Sequence, residues 1–170
     1  MRPPFFPVSL VDVGAGMHFT SACTEEFAIG ATRIRSMAIS HPNEGFGFRV
    51  TEKGRSFVFV PDNELTFLHP GGRRAEDYTA FAAGADLLIH DAEYRPDDYP
   101  SHRSWGHSMF LDTVDMAAKA GVKKLLLWHL NQDRTDAEVD AMAAEARCAA
   151  KAAGSKLEVE AAAARTQFVI

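Results

Sequence analysis

The sequence has few cysteines and no long hydrophobic run. Only two of its 170 residues are cysteines, Cys23 and Cys148, which excludes a disulfide framework or a paired-cysteine metal clip. The longest apolar runs, such as Leu125–Trp128, fall far short of the roughly 18 residues that span a bilayer. The first seven residues contain no apolar segment of signal-peptide length. We therefore expect a cytoplasmic protein with reduced thiols and no membrane partner.

The sequence also lacks an excess of positive charge. Lys and Arg total 18 against 23 Asp and Glu, a formal net charge of -5, which argues against electrostatic binding of duplex DNA. A small anionic substrate would need a local cationic site, and metal ions are one way to make it. The hydrophobic fraction of 46% and the length of 170 residues suit one globular domain spanning residues 1–170.

The order of the predicted elements indicates a mixed α/β (α+β) class, with helices on one side of a sheet. Short apolar or alternating runs predict strands at Val8–Val13, Met17–Thr20, Thr32–Ile39, Gly45–Thr51, Ser56–Val60, Asp86–His90, Lys124–Trp128, Leu157–Glu160 and Thr166–Ile170. Helical periodicity and capping residues predict helices at Glu76–Ala83, at Ser108–Ala120 with Ser108 as N-cap, and from a Thr135 capping box to Gly154.

Metal-binding residue types follow several predicted strands. Of the seven histidines, His41 follows one strand and His90 and His129 end two others, while Asp62 follows a fourth. Strand ends can aim several side chains at one point, and imidazole and carboxylate suit Zn²⁺, Mn²⁺ or Fe. Any one of these histidines alone has a structural, hydrogen-bonded role as its alternative. The four residues together favour a metal site.

Several stretches resemble the metallo-β-lactamase superfamily, in the branch near ribonuclease Z and related phosphodiesterases. The first are HPNEGFGFR at 41–49 and FVFVPDNE at 57–64, and the later ones are ADLLIHDAEY at 85–94, HRSWGHS at 102–108 and LWH at 127–129. They occur in that family's order, and the resemblance covers about residues 5–145. It implies part of an αββα sandwich and hydrolysis of a phosphodiester by a metal-activated water.

The resemblance also implies a role for individual residues. His41 would bind one metal ion, His129 a second, and Asp62 would bridge the two, offsetting their mutual repulsion. His107 would face the scissile phosphate as general acid or charge stabiliser, and Asp91 would orient His107 or a ligand by a hydrogen bond. The remaining roles are more peripheral: His90 would support the ligands from behind, and His102 and Trp105 would line the substrate entrance.

The family's His-x-His-x-Asp-His motif is absent, because no two of the seven histidines are two residues apart. The chain therefore resembles the C-terminal portion of the family domain, whether through an internal or misassigned start, a truncated gene or a split one. We expect the isolated chain to be weak or inactive, with a dinuclear centre only when the missing N-terminal half is supplied. The alternative function is a non-catalytic half-domain that pairs with a partner chain or as a homodimer. An unrelated α/β binding module is a third possibility.

Two histidines and one turn have mainly structural interpretations. His18 and His69 lie in segments without other ligand candidates, so we expect solvent-exposed or capping roles for both. Residues 71–74, Gly-Gly-Arg-Arg, lack the Lys-Ser/Thr of a phosphate-binding loop and predict a flexible turn. Arg73 and Arg74 in this turn remain candidates for contact with an anionic substrate.

Overall fold

A computed structural model describes Asp12, residues 14–17 and residues 26–169. The predicted strands Val8–Val13 and Met17–Thr20, and also His18 and Cys23, lie wholly or mostly outside the described residues. The strands are β1 (Glu26–Ile29), β2 (Thr32–Ala38), β3 (Phe46–Glu52), β4 (Arg55–Val60), β5 (Leu87–Asp91), β6 (Lys124–Trp128) and β7 (Glu158–Ala161). The helices are α1 (Ala75–Ala82), α2 (Tyr99–His102), α3 (Phe110–Lys119) and α4 (Asp136–Ala152).

The seven strands form one mixed sheet in sequence order, from β1 to β7. Strands β1 to β4 pair antiparallel, whereas β4 to β7 pair parallel through helical crossovers. Since two antiparallel pairings separate β2 from β4, these strands run in the same direction. The carboxyl ends of β2, β4, β5 and β6 therefore meet at one edge of the sheet, which is called here the carboxyl edge.

The main core lies between one face of the sheet and the helices. Alternate strand residues point to the same face, so Val58 of β4, Leu88 of β5 and Leu125 of β6 are fully buried together. They pack against Phe110 of α3 and Met142 of α4 in a single hydrophobic cluster. The mixed α/β class and the helix-covered sheet expected from the sequence are thus confirmed.

The opposite face of the sheet is also apolar but less completely covered. Phe57, Phe59 and Ile89 are half-buried on this face, and Trp128 is 41% exposed. The rings of Phe59 and Trp128 meet edge to face, with centroids 5.7 Å apart. We refer to these four residues as the open face.

Three local predictions differ from the structure. Helix α3 begins at Phe110 with Met109 as N-cap, and not at Ser108, whose hydroxyl instead donates to the backbone oxygen of Asn63 at 2.6 Å. Residues 166–169 form no strand. Strand β1 was not predicted because it is a short, mostly exposed edge strand without clear alternation.

Helix α2 was not predicted from the sequence, whereas α1 and α4 follow their local sequence signals closely. Helix α4 starts with the predicted capping box, in which the Thr135 hydroxyl accepts from the Glu138 N–H. Among the described residues, no helix is long and apolar enough to cross a membrane.

Candidate functional site

Four side chains at the carboxyl edge bring metal-ligating atoms together. Asp62, Asp91, His107 and His129 each place one such atom within 4.8 Å of those of the other three. Asp62 follows β4, Asp91 ends β5 and His129 follows β6, while His107 comes from the loop between α2 and α3. This loop, residues 103–109, is called here the His107 loop. The parallel strands explain why residues far apart in sequence meet here.

The closest pair in this cluster is Asp91 and His107. Nδ1 of His107 lies 2.6 Å from Oδ2 of Asp91, whose side chain is fully buried. The carboxylate also accepts backbone N–H groups from Asn63, Glu93 and Ser108. Burial raises the pKa of Asp91, whereas these donors favour its ionised form. With both Asp91 oxygens hydrogen-bonded, His107 is held with its proton on Nδ1 and its Nε2 atom available.

Electrostatics at His107 favour the charged imidazolium. Burial alone lowers the pKa of His107, but the hydrogen bond and the charge of Asp91 outweigh it, so the net pKa is raised. Glu93 adds to this effect with an oxygen 3.4 Å from Nδ1. The ring is mostly buried, with 14% of the side chain exposed.

His129 stacks on His107 and faces Asp62. The two imidazole rings are nearly parallel, with centroids 4.5 Å apart. Nδ1 of His129 lies 3.2 Å from Glu93, and Nε2 lies 3.6 Å from Oδ1 of Asp62. The hydrogen bond to Glu93 raises the pKa of His129 to about 9. The backbone of His129 has φ of +54°, a conformation uncommon outside glycine that often marks a functional position.

His41, the other predicted ligand, lies beside this cluster but is not one of its four members. Its ring meets that of His107 edge to face, with centroids 5.5 Å apart. Its Nδ1 atom accepts from the N–H of Asn43 at 3.2 Å. Burial lowers the pKa of His41, which keeps the imidazole in the neutral form that metal ligation requires.

A buried polar layer lies behind the cluster. His90 is fully buried, with Nδ1 at 2.7 Å from the Asp91 backbone oxygen and Nε2 at 3.3 Å from Asn63 Nδ2. The Thr113 hydroxyl donates to the same Asp91 oxygen. Burial lowers the pKa of His90 to about 4, so this histidine is neutral at physiological pH.

His102 and Trp105 lie near the cluster, separated from it by an aromatic side chain. His102 stacks on Tyr94 at a centroid distance of 4.7 Å, and Tyr94 in turn contacts the His107 ring at 6.1 Å. Trp105 lies edge-on to His102 and is 59% exposed. Trp105, which carries this exposed indole, precedes His107 by two residues in the His107 loop.

The solvent-exposed or capping role expected for His69 was wrong. Its side chain is only 4% exposed, and Nε2 lies 2.8 Å from Glu64, which is itself fully buried. The turn predicted at residues 71–74 lies earlier, at residues 69–72, where the Gly72 N–H donates to the His69 backbone oxygen at 3.1 Å. Gly72 packs so tightly on Ser40 that a Cβ would lie 2.8 Å from the Ser40 Cα.

Two further carboxylates at this site, Glu64 and Glu93, were not predicted from the sequence. Glu93 contacts two histidines of the cluster, and Glu64 binds the His107 loop. Each follows a strand-end aspartate by two residues, Asp62 and Asp91, and that spacing was the available signal.

The donor set fits a hard or borderline divalent cation. The side chains of His129 and Asp62 are 38% and 41% exposed, and the carboxylates of Glu93 and Asp91 add negative charge beside the histidines. Carboxylate oxygens gathered around imidazoles are the ligand types that Zn²⁺, Mn²⁺ and Fe share. A cleft of about 360 Å³, lined by Glu93, His129 and residues 130–133, opens beside them.

Comparison with known proteins identifies the family. The family described as the beta-lactamase superfamily domain matches residues 2–130. Ribonuclease Z of Lactococcus lactis is 37% identical over 59 residues, covering 35% of this chain and 19% of that protein. Ribonuclease Z of Halorubrum lacusprofundi is 34% identical over 94 residues, covering 55% of this chain and 27% of that protein.

Solved structures share the fold. The metallo-beta-lactamase fold protein YhfI of Bacillus subtilis superposes with a TM-score of 0.65 at 24% identity, over 81% of this chain and 49% of that one. Human tRNase Z, short form, gives a TM-score of 0.56 at 20% identity, over 84% and 46%. The chain thus spans about half of these proteins and a smaller share of the curated relatives. It belongs to the metallo-β-lactamase superfamily, in the branch that resembles ribonuclease Z.

Proposed function

We propose that this chain provides part of the active site of a metal-dependent phosphodiesterase. The observation that carries this proposal is the cluster at the carboxyl edge, in which a buried Asp91–His107 pair lies against Asp62 and His129. The similarity to proteins named ribonuclease Z supports phosphodiester hydrolysis as the reaction. The substrate we propose is a phosphodiester or another small anionic compound.

Asp62, His129 and His41 are the residues that would hold divalent metal, with Asp62 shared between two ions. When bound there, zinc, or manganese or iron in its place, would act as a Lewis acid that makes a water molecule nucleophilic at neutral pH. Glu93 supports His129 from the side opposite Asp62 and keeps its Nε2 atom pointed at the carboxylate.

His107 acts on the leaving group. Its Nδ1 atom is held by Asp91, so Nε2 is the atom that can donate a proton to the leaving oxygen or stabilise charge on the phosphate. The carboxylate of Asp91 raises the pKa of His107, which favours the protonated form of this acid. Asp91 does not touch the substrate in this scheme and serves to orient and charge His107.

The substrate enters beside His129 and Trp105. The cleft of about 360 Å³ has room for part of a nucleotide. The exposed indole of Trp105 offers a surface on which a base can stack, and His102 supports that indole edge-on. Arg73 and Arg74 are further candidates for contact with phosphate.

The ligand set of the described residues is incomplete for two ions. Each ion would have one histidine and a shared carboxylate, whereas catalytic zinc sites usually use three protein ligands. We infer that an N-terminal half-domain or a second copy of this chain completes the site. The open face is where such a partner would pack, because Phe57, Phe59 and Ile89 are only half-buried there.

The same face supports the second candidate function, a non-catalytic half-domain that acts by pairing.

Hydrolysis of bis(p-nitrophenyl) phosphate, with Zn²⁺ or Mn²⁺ added, distinguishes the catalytic function from the non-catalytic one. Catalysis predicts that Asp62→Ala abolishes turnover and that His107→Ala lowers the rate by about 10²–10⁴ without changing metal content. Glu145→Gln, a surface change at the Arg95 ion pair, is the control and keeps wild-type turnover. Loss of metal from His107→Ala would show that the roles are misassigned.

A further inference from the structure

Glu64 is a carboxylate buried outside the cluster. Its side chain has 0% relative exposure, and it follows β4 by four residues. A buried charge costs free energy unless hydrogen bonds compensate for lost hydration. The groups that bind Glu64 therefore indicate what it does.

Four donors converge on the Glu64 carboxylate. Oε1 accepts from the Tyr99 hydroxyl at 2.5 Å and from the Ser104 N–H at 2.8 Å. Oε2 accepts from the Gly106 N–H at 2.9 Å and lies 2.8 Å from His69 Nε2. Two of the four donors are thus backbone groups of the His107 loop, immediately before His107.

The position of Gly106 matters for a second histidine. Gly106 has φ of +104°, and a Cβ built on it would lie 2.2 Å from Cδ2 of His41 and 2.6 Å from Cδ of Pro42. The His41 ring therefore packs directly against the Gly106 backbone. Whatever fixes Gly106 also fixes the space in which His41 lies, while the next residue places His107 against Asp91.

We propose that Glu64 is a positioning residue for both His41 and His107. It holds the His107 loop through the N–H groups of Ser104 and Gly106, and the loop sets the placement of the two imidazoles. Its consequence for catalysis rests on the proposed phosphodiesterase function. The placement itself is measurable without any turnover.

The test substitutes Glu64→Gln, which keeps the shape but replaces one acceptor oxygen by an NH₂ group. That group must face one of the two donor pairs, so at least one N–H of the loop loses its acceptor. The readout is the NOE between the Gly106 Hα protons and His41 Hδ2 in the metal-free full chain. We expect it to weaken at least threefold, with the amide shifts of β4 to β6 unchanged. Glu145→Gln, the matched control, keeps the wild-type NOE.

Where turnover is measurable, the same variant separates placement from stability. Misplaced imidazoles lower kcat by about 10–100-fold, whereas KM stays within twofold because no group that binds substrate is removed. A purely stabilising role for Glu64 would lower the melting temperature and leave both the NOE and kcat of the folded protein unchanged.

Each outcome decides the matter. A wild-type NOE in folded Glu64→Gln overturns the proposal, and a weakened one supports it, whether or not the wild-type chain is active. Absence of wild-type turnover with every metal counts against the phosphodiesterase function alone. If Glu64→Gln does not fold, Tyr99→Phe replaces it, because losing the hydroxyl donor frees the carboxylate to rotate. In Tyr99→Phe, a twofold weaker NOE between Gly106 and His41 supports the proposal, and an unchanged NOE overturns it.

Discussion

Replacing Asp91 by asparagine perturbs the hydrogen bond that orients His107. The buried carboxylate accepts from His107 and Asn63 on Oδ2 and from Glu93 and Ser108 on Oδ1. Asparagine keeps one acceptor oxygen and presents an NH₂ group to the other pair of donors. If the oxygen stays with the backbone pair, the NH₂ group faces the His107 ring and the Asn63 N–H.

The magnitude follows from the bonds that are lost. One buried backbone N–H without an acceptor costs about 1–3 kcal/mol, and loss of the charge-assisted bond to His107 brings the total to about 2–4 kcal/mol. Nδ1 of His107 must now accept, so its proton moves to Nε2 and the ring loses the carboxylate that raised its pKa. A neutral imidazole is a weaker acid, and we expect phosphodiester hydrolysis to fall by about 10²–10⁴.

Urea unfolding gives the free-energy change, and long-range ¹H–¹⁵N NMR reports the tautomer of His107. The matched control is Asp112→Asn, the same substitution at a carboxyl whose Oδ2 atom is buried without a hydrogen-bond partner among the described residues. Burial raises the pKa of Asp112, so its amide should be neutral or slightly stabilising. An Asp91→Asn protein within about 0.5 kcal/mol of wild type, with the proton still on Nδ1, would refute the reasoning.

Three further outcomes are expected. The hydrogen bonds from the Lys123 ammonium and the Ser56 N–H lower the pKa of Asp86. The stabilising contribution of Asp86 is therefore present above about pH 4 and is lost as the pH falls further. In urea unfolding, Asp86→Asn should lower the free energy of unfolding by about 1–2 kcal/mol at pH 7 and by less at pH 3. Trp105→Ala should raise KM for a nucleotide phosphodiester by about 5–100-fold and leave KM for bis(p-nitrophenyl) phosphate near wild type, because stacking on a base is lost. Sedimentation equilibrium at micromolar concentration should show a dimer formed through the open face, and a monomer that binds no hydrophobic dye would contradict this.

The carboxyl edge was predictable because it depends on strand direction and sequence order. Apolar runs followed by Asp or His predict side chains at the ends of buried strands, and parallel pairing brings two of these residues, Asp62 and His129, together. Asp91 ends β5 one residue beyond the predicted strand, and only the family resemblance indicated it. The family resemblance supplied the role of His107, which no strand end would have indicated.

The contacts of loop side chains were less predictable, because they depend on which distant group each side chain hydrogen-bonds with in the folded protein. Ser108 is a strong capping residue, yet its hydroxyl binds the Asn63 backbone oxygen and the helix begins two residues later. His69 is buried because its ring hydrogen-bonds to the buried carboxylate of Glu64, and this contact forms only when the chain folds. Local sequence preference carries no information on such competition between distant segments.

Zinc binding by the purified chain tests the central claim most directly. After exhaustive dialysis, metal analysis should find fewer than two ions per chain, and calorimetric titration should show weak binding that Asp62→Ala and His129→Ala both abolish. Supplying an N-terminal half-domain carrying a His-x-His-x-Asp-His motif should raise the content to two ions. Two tightly held ions in the isolated chain, or binding that survives both substitutions, would contradict an incomplete metal site at the carboxyl edge.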